Sequence, residues 1–247
     1  MHKARAFLLV CACIFLLALR AVPAAVAAPP SMLPLEVGNY WNYLSASGAH
    51  QVETITGTRT VLGRTVFVKS YAEGINAGLE NFWLTGPSGE VLLAGFHRPG
   101  DGYAPAYEPP ITVCGSAPSV GDKWTTHTTA YNLADTSLVA VFDITYGALE
   151  EVSLSVPAGT FPCIGVGQVP FATSPASARL TSRGLTLDGR QVAATRSASA
   201  TNASDWYSLG IGEVQYVVGD TFQLAGYGTP TPAQSMSIGQ LKAKYAR

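Results

Sequence analysis

Side chains able to do chemistry are few in this chain, and they are scattered. Behind its N-terminal segment lie three histidines, His50, His97 and His127, and no two stand at a metal-ligand spacing. No H-E-x-x-H, acidic calcium loop, C-x-x-C or G-x-S-x-G sequence occurs. His97, beside Arg98 among Pro and Gly, suits a surface role, and His127 projects from a run of threonine hydroxyls. Glu150 and Glu151 imitate a catalytic pair only on paper, because adjacent strand residues point to opposite faces. Glu53, Glu73, Glu80, Asp143 and Asp205 are far apart, and only folding could bring them together. No catalytic residue, cofactor or metal ligand is therefore assigned, and the chain reads as a non-enzyme.

The elements that would carry these residues are strands. From Tyr40 to Tyr227, runs rich in Val, Thr, Tyr, Phe and Trp recur between Gly-containing turns, the rhythm of an all-β sandwich or barrel. Asn81–Leu84, Gly86–Gly89 and Val91–Leu93 form a strand, turn and strand. Leu62-Gly63-Arg64 marks another reversal, and Asp188-Gly189 is a hairpin turn between alternating flanks. In Ser137–Tyr146 the period of two sorts Ala140, Phe142, Ile144 and Tyr146 from Val139, Val141, Asp143 and Thr145, which leaves Asp143 solvated. Two stretches break the rhythm. Pro99 to Gly121 is either an ordered excursion or a linker, and Arg179 to Asn202 reads as an exposed hairpin.

A pentad recurs: Val37-Gly38-Asn39-Tyr40-Trp41, then Val120-Gly121-Asp122-Lys123-Trp124, with a looser copy at Val218-Gly219-Asp220-Thr221-Phe222. Gly followed by Asn or Asp permits a tight turn, and the aromatic then points to one face of the next strand. The pentads are read as core anchors rather than aromatic ligand platforms, and they hint at duplicated halves.

Three segments together resemble a family of exported bacterial β-proteins of unknown function. They are Pro34-Leu35-Glu36-Val37-Gly38-Asn39-Tyr40-Trp41-Asn42-Tyr43, the turn Val156-Pro157-Ala158-Gly159-Thr160-Phe161, and Trp206 to Val214 with its Gly210-Ile211-Gly212. The resemblance covers the mature domain through Tyr227. It implies an antiparallel, strongly curved sheet, such as a half-open barrel, and it implies no reaction.

Met1 to Ala27 has the order of a secretory signal peptide: His2, Lys3 and Arg5, then an apolar run, then Ala25-Val26-Ala27. The expected organisation is signal peptide 1–27, one β domain 28–228, and a tail or short helix 229–247. Without Lys3, Arg5 and Arg20, twelve basic side chains face sixteen acidic ones, a net charge of −4. No basic stripe remains for nucleic acid, and no later segment is long and apolar enough for a transmembrane helix. Cys114 and Cys163, an even pair in an oxidising compartment, are expected to form one disulfide. The functional expectation is a periplasmic or extracellular protein binding a lipid, another apolar small molecule or an envelope component. The alternatives are an assembly component pairing through an exposed strand or hairpin, and then an extracellular hydrolase.

Overall fold

The alternating runs become twelve antiparallel strands that close into one barrel in a computed structural model describing residues 31–100, 104–169, 190 and 203–229. In chain order they are β1 Tyr40–Ser45, β2 His50–Val61, β3 Arg64–Tyr71, β4 Glu80–Thr85, β5 Val91–His97 and β6 Pro105–Cys114. The second six are β7 Lys123–Asn132, β8 Leu138–Val156, β9 Gly159–Val169, β10 Asp205–Ser208, β11 Gly212–Val218 and β12 Asp220–Gly228. Each strand pairs with its sequence neighbours, and β1 pairs with β12 to complete the ring. The barrel is closed rather than half-open, so every strand has a partner on both sides. The signal peptide and the tail beyond Thr229 lie outside the described residues.

The pentads open β1 and β7, six strands apart, and they build the same local structure. Gly38 and Gly121 take φ of 96° and 98°, a left-handed conformation that a side chain would strain. Gly38 N donates to Ile55 O at 2.7 Å, and Ile55 N donates back to Asn39 O at 2.8 Å. In the second copy Gly121 N donates to Ala148 O at 2.8 Å, and Ala148 N to Asp122 O at 2.9 Å. The register slips immediately after Ile55 in β2 and immediately after Ala148 in β8.

Further correspondences follow along each half. The β2–β3 hairpin turns through Leu62-Gly63, and the β8–β9 hairpin through Pro157-Ala158. The tip of the first reaches β6, where Arg64 forms an ion pair with Glu108. The tip of the second reaches β12, where Ala158 N donates to Leu224 O at 2.9 Å and Phe161 meets Tyr227 at 5.9 Å between ring centroids. The register also slips between Phe82 and Trp83 in β4, and between Trp206 and Tyr207 in β10. These shared features are the structural content of a duplicated six-strand half. The third pentad turns β11 into β12 and falls outside that scheme.

The pentad aromatics are core anchors. Trp41 and Phe222 are buried, and half-buried Trp124 packs against the same core. Trp41 Nε1 donates to Ile211 O at 2.7 Å, and Tyr43 OH donates to Glu213 O at 2.9 Å, so the opening motif grips the Gly-Ile-Gly turn from inside the barrel. A Cβ on Gly212 would lie 2.8 Å from Trp41 Nε1, and this close approach requires glycine. Met32, Leu33 and Leu35 pack into the core from the segment before β1.

Two expectations need correction. Pro99 to Gly121 is no linker, because it contains β6. Pro109 and Pro110 cannot donate to a ladder, and the β5–β6 register accordingly jumps between Ile111 and Ala106. The Cys114–Cys163 disulfide is not formed; both are buried free thiols. They stand on β6 and β9 with β7 and β8 between them in the sheet order, and the Cys163 thiol donates instead to Phe161 O at 3.4 Å. Burial pushes the Cys114 thiol up to about 12 and the Cys163 thiol to about 11, so neither forms a reactive thiolate at neutral pH. Thiol titration of the unreduced, denatured protein, taken without its leader, should find two free thiols per chain; finding none would restore the bridge.

Candidate functional site

Strand alternation delivers a run of ionisable side chains into the barrel. Glu53 shares a face of β2 with Gln51 and Ile55, and Lys69 shares a face of β3 with Phe67 and Tyr71. Glu213 enters from β11, Asp205 from the start of β10, and Arg190 from the connection between β9 and β10. Glu53, Lys69, Glu213 and Arg190 have side chains no more than 2% exposed, against 18% for Asp205. Burying such groups is tolerable only if each finds a counter-charge.

They do so as a chain. Lys69 Nζ lies 2.7 Å from Glu53 Oε2 and 3.7 Å from Glu213 Oε2. Arg190 Nη2 donates to both Glu213 oxygens, at 3.0 and 2.8 Å, and Nη1 donates to Asp205 Oδ1 at 3.1 Å. The guanidinium carbon sits 4.3 Å from the centroid of the Tyr216 ring, and Lys69 lies 5.5 Å from the Tyr71 and Trp83 rings. Amides extend the network: Gln51 donates to Glu53 at 2.9 Å, Asn76 to Gln51 at 3.1 Å, and Asn81 to the Tyr71 hydroxyl at 2.9 Å. Asn81 Oδ1, Trp83 Nε1 and Tyr216 OH are buried without a hydrogen-bond partner among the described residues.

Three carboxyls face two cations, so one carboxyl is in excess. Desolvation raises Glu213 to about 8, with Arg190 and Lys69 opposing the rise and Asp205 adding to it. Burial disfavours the Lys69 charge, but Glu53, Tyr71 and Glu213 overcome it and raise its pKa. Tyr43, Tyr207 and Tyr216 are pushed up, first by burial. A protonated Glu213 leaves Glu53 with Lys69 and Asp205 with Arg190, two balanced pairs. The arrangement holds charge in place, and its four innermost ionisable side chains are closed to solvent.

Of the scattered carboxylates, Glu53 and Asp205 meet in this network. The others stay outside: Glu73 pairs with His50 at 3.0 Å, Glu80 with Arg59 at 3.4 Å and His97 at 3.6 Å, and Asp143 with His127 at 2.7 Å. Asp143 is solvated as expected. Glu150 and Glu151 are exposed, with Glu150 accepting from Trp206 Nε1 at 2.9 Å. Sequence reasoning missed Lys69, Glu213 and Arg190. The signal for Lys69 was a lone charge in phase with Phe67 and Tyr71. Arg190 was assigned to an exposed hairpin, yet its side chain is buried, because its ion pairs are with residues lining the interior. The rest of that hairpin lies outside the described residues.

Tyr207, the β10 partner of Glu213, is among the residues lining a cleft of about 340 Å³. Met32, Pro118, Val120, Pro162, Ile164 and Leu209 contribute apolar wall, with Val120 and Leu209 well exposed, and Ser119, Glu151 and Ser208 contribute polar wall. Exposed strand positions elsewhere are mixed, with Lys123, His127, Asp143 and Ser153 polar and Leu44, Leu138, Val141, Val217 and Tyr227 apolar. Among the described residues no helix is long and apolar enough to cross a membrane, which says nothing of strands.

No family model matches the chain, and no curated protein does. Among solved structures it is similar to a "putative lipoprotein" from Parabacteroides distasonis ATCC 8503, at 13% identity, covering 81% of this chain and 100% of that one. The TM-score is 0.30, too remote a likeness to assign a role.

The raised Glu213 has a consequence for stability. A carboxyl whose folded pKa exceeds its ordinary 4.5 contributes stability that is complete below that value and is lost as pH rises through about 8. Lys69, Cys114 and Cys163 change their contributions only above this window, and Asp135 and Asp220, held low by hydrogen bonds, only below it. Urea unfolding between pH 5 and 9 should show wild-type stability falling with pH, and Glu213→Gln should flatten that slope. An unchanged slope in the variant would place the titration elsewhere.

Proposed function

We propose that this chain is an exported, non-catalytic β-barrel protein that binds an apolar ligand at the cleft beside β9 and the β10–β11 turn. The leader-like N-terminus supports export, and so does the resemblance to exported β-proteins. The observation that carries the binding reading is the cleft itself. Its volume of about 340 Å³ falls within the ordinary range for small-ligand sites, and exposed Val120 and Leu209 rim it. The barrel interior is an unsuitable lipid chamber, because Tyr43, Tyr71, Tyr107, Phe96, Lys69 and Arg190 fill it. Its buried charges are already engaged with one another, which supports a non-catalytic role. Pairing with a partner by strand addition loses support, since closure leaves no described strand with a free edge.

Titration with a fluorescent fatty acid tests the proposal. Saturable uptake is expected, weakened at least tenfold by Leu209→Asp while the β-sheet circular dichroism spectrum is retained. No saturable uptake by the folded wild-type protein, or uptake indifferent to Leu209→Asp, would overturn it.

A further inference from the structure

The buried cation contributed by Arg190 differs from that of Lys69 in how it is held. Lys69 arises within a strand, whereas Arg190 belongs to the long connection between β9 and β10. All three of its nitrogens are matched. Nη2 meets Glu213, Nη1 meets Asp205 at 3.1 Å, and Nε donates to the Tyr71 hydroxyl at 3.4 Å. The Tyr216 ring covers one face of the guanidinium plane. A planar cation with donors on three nitrogens and a stackable face is the ligand this geometry fits. An ammonium is a compact point charge and could not satisfy both carboxyls, the hydroxyl and the ring together.

We propose that Glu213, Asp205, Tyr71 and Tyr216 form a guanidinium-binding socket that accepts a guanidino compound from outside, with Arg190 as its resident occupant in cis. Most of the socket belongs to the barrel: Tyr71 is on β3, Asp205 begins β10, and Glu213 and Tyr216 are on β11. Its shape is set by the β10–β11 register, which slips between Trp206 and Tyr207 and carries Glu213 opposite Tyr207. The Tyr216 hydroxyl and the Asn81 carbonyl oxygen, buried without a hydrogen-bond partner among the described residues, add polar capacity near the Tyr71 and Tyr216 rings. An external guanidino group competes with one that belongs to the same molecule, and this intramolecular competitor opposes its binding. The intact protein should therefore bind such a ligand weakly, and loss of the resident side chain should unmask the socket.

The experiment compares wild type with Arg190→Ala, using agmatine as the guanidino probe and putrescine as the ammonium control at matched ionic strength. Calorimetry should show agmatine binding Arg190→Ala at least tenfold more tightly than wild type, and putrescine binding neither. Adding Glu213→Gln to Arg190→Ala should abolish the agmatine signal. If Arg190→Ala is too unstable to purify folded, its refolding yield provides the readout, and agmatine should raise it where putrescine does not. Folded Arg190→Ala that ignores agmatine, a response shared equally with putrescine, or a refolding yield untouched by either would overturn the socket.

Discussion

One carboxyl group, Glu213, stands between Lys69 and Arg190 inside a closed ring of strands, and the other interior side chains are arranged around it. Twelve strands enclose more width than aliphatic side chains alone fill, so long and aromatic residues must reach the axis. Lys69 and Arg190 supply that reach, and each carries a charge that the interior tolerates only when paired. Glu53, Asp205 and Glu213 provide the pairing from three separate strands. Closure, filling and charge balance are thus one constraint. A strand out of register would leave an ion without its partner.

The two six-strand halves show where this constraint was superimposed on a repeated plan. Their pentads, register slips and folded-over hairpins correspond, but their interiors do not. Asn81 and Asp205 precede equivalent slips, in β4 and β10. The amide of Asn81 donates to the Tyr71 hydroxyl, while the carboxylate of Asp205 receives Arg190. The cleft adjoins this network, because Tyr207 lines it and pairs with Glu213 across β10 and β11.

Much of the scaffold was legible in the residues. Ala140, Phe142 and Ile144 are buried and Val141 and Asp143 exposed, as period-two alternation requires, although Thr145 is buried through its hydroxyl contact with Thr125 at 2.7 Å. Leu62-Gly63 turns where Gly permits it, and the Gly-Asn and Gly-Asp pentads each start a strand. Closure was not legible, because pairing β1 with β12 is a long-range event that no local pattern encodes. The interior ions were half legible. Glu53 and Asp205 could be named as carboxylates awaiting partners, but Arg190 sits in a Ser- and Ala-rich stretch whose composition points outward. The location of Glu213 and Asp205, with Tyr71 and Tyr216 beside them, explains why it turns in.

The most direct test of this account is the equilibrium unfolding of Lys69→Met near neutral pH, with Lys69→Met/Glu53→Gln measured beside it. Breaking a buried ion pair on one side leaves an unpaired charge, so the single variant should lose about 3–5 kcal/mol. The double variant, relieved of that charge, should recover part of the loss. A single variant within about 0.5 kcal/mol of wild type, the range of an ordinary surface substitution, would show that the barrel does not depend on its interior charges.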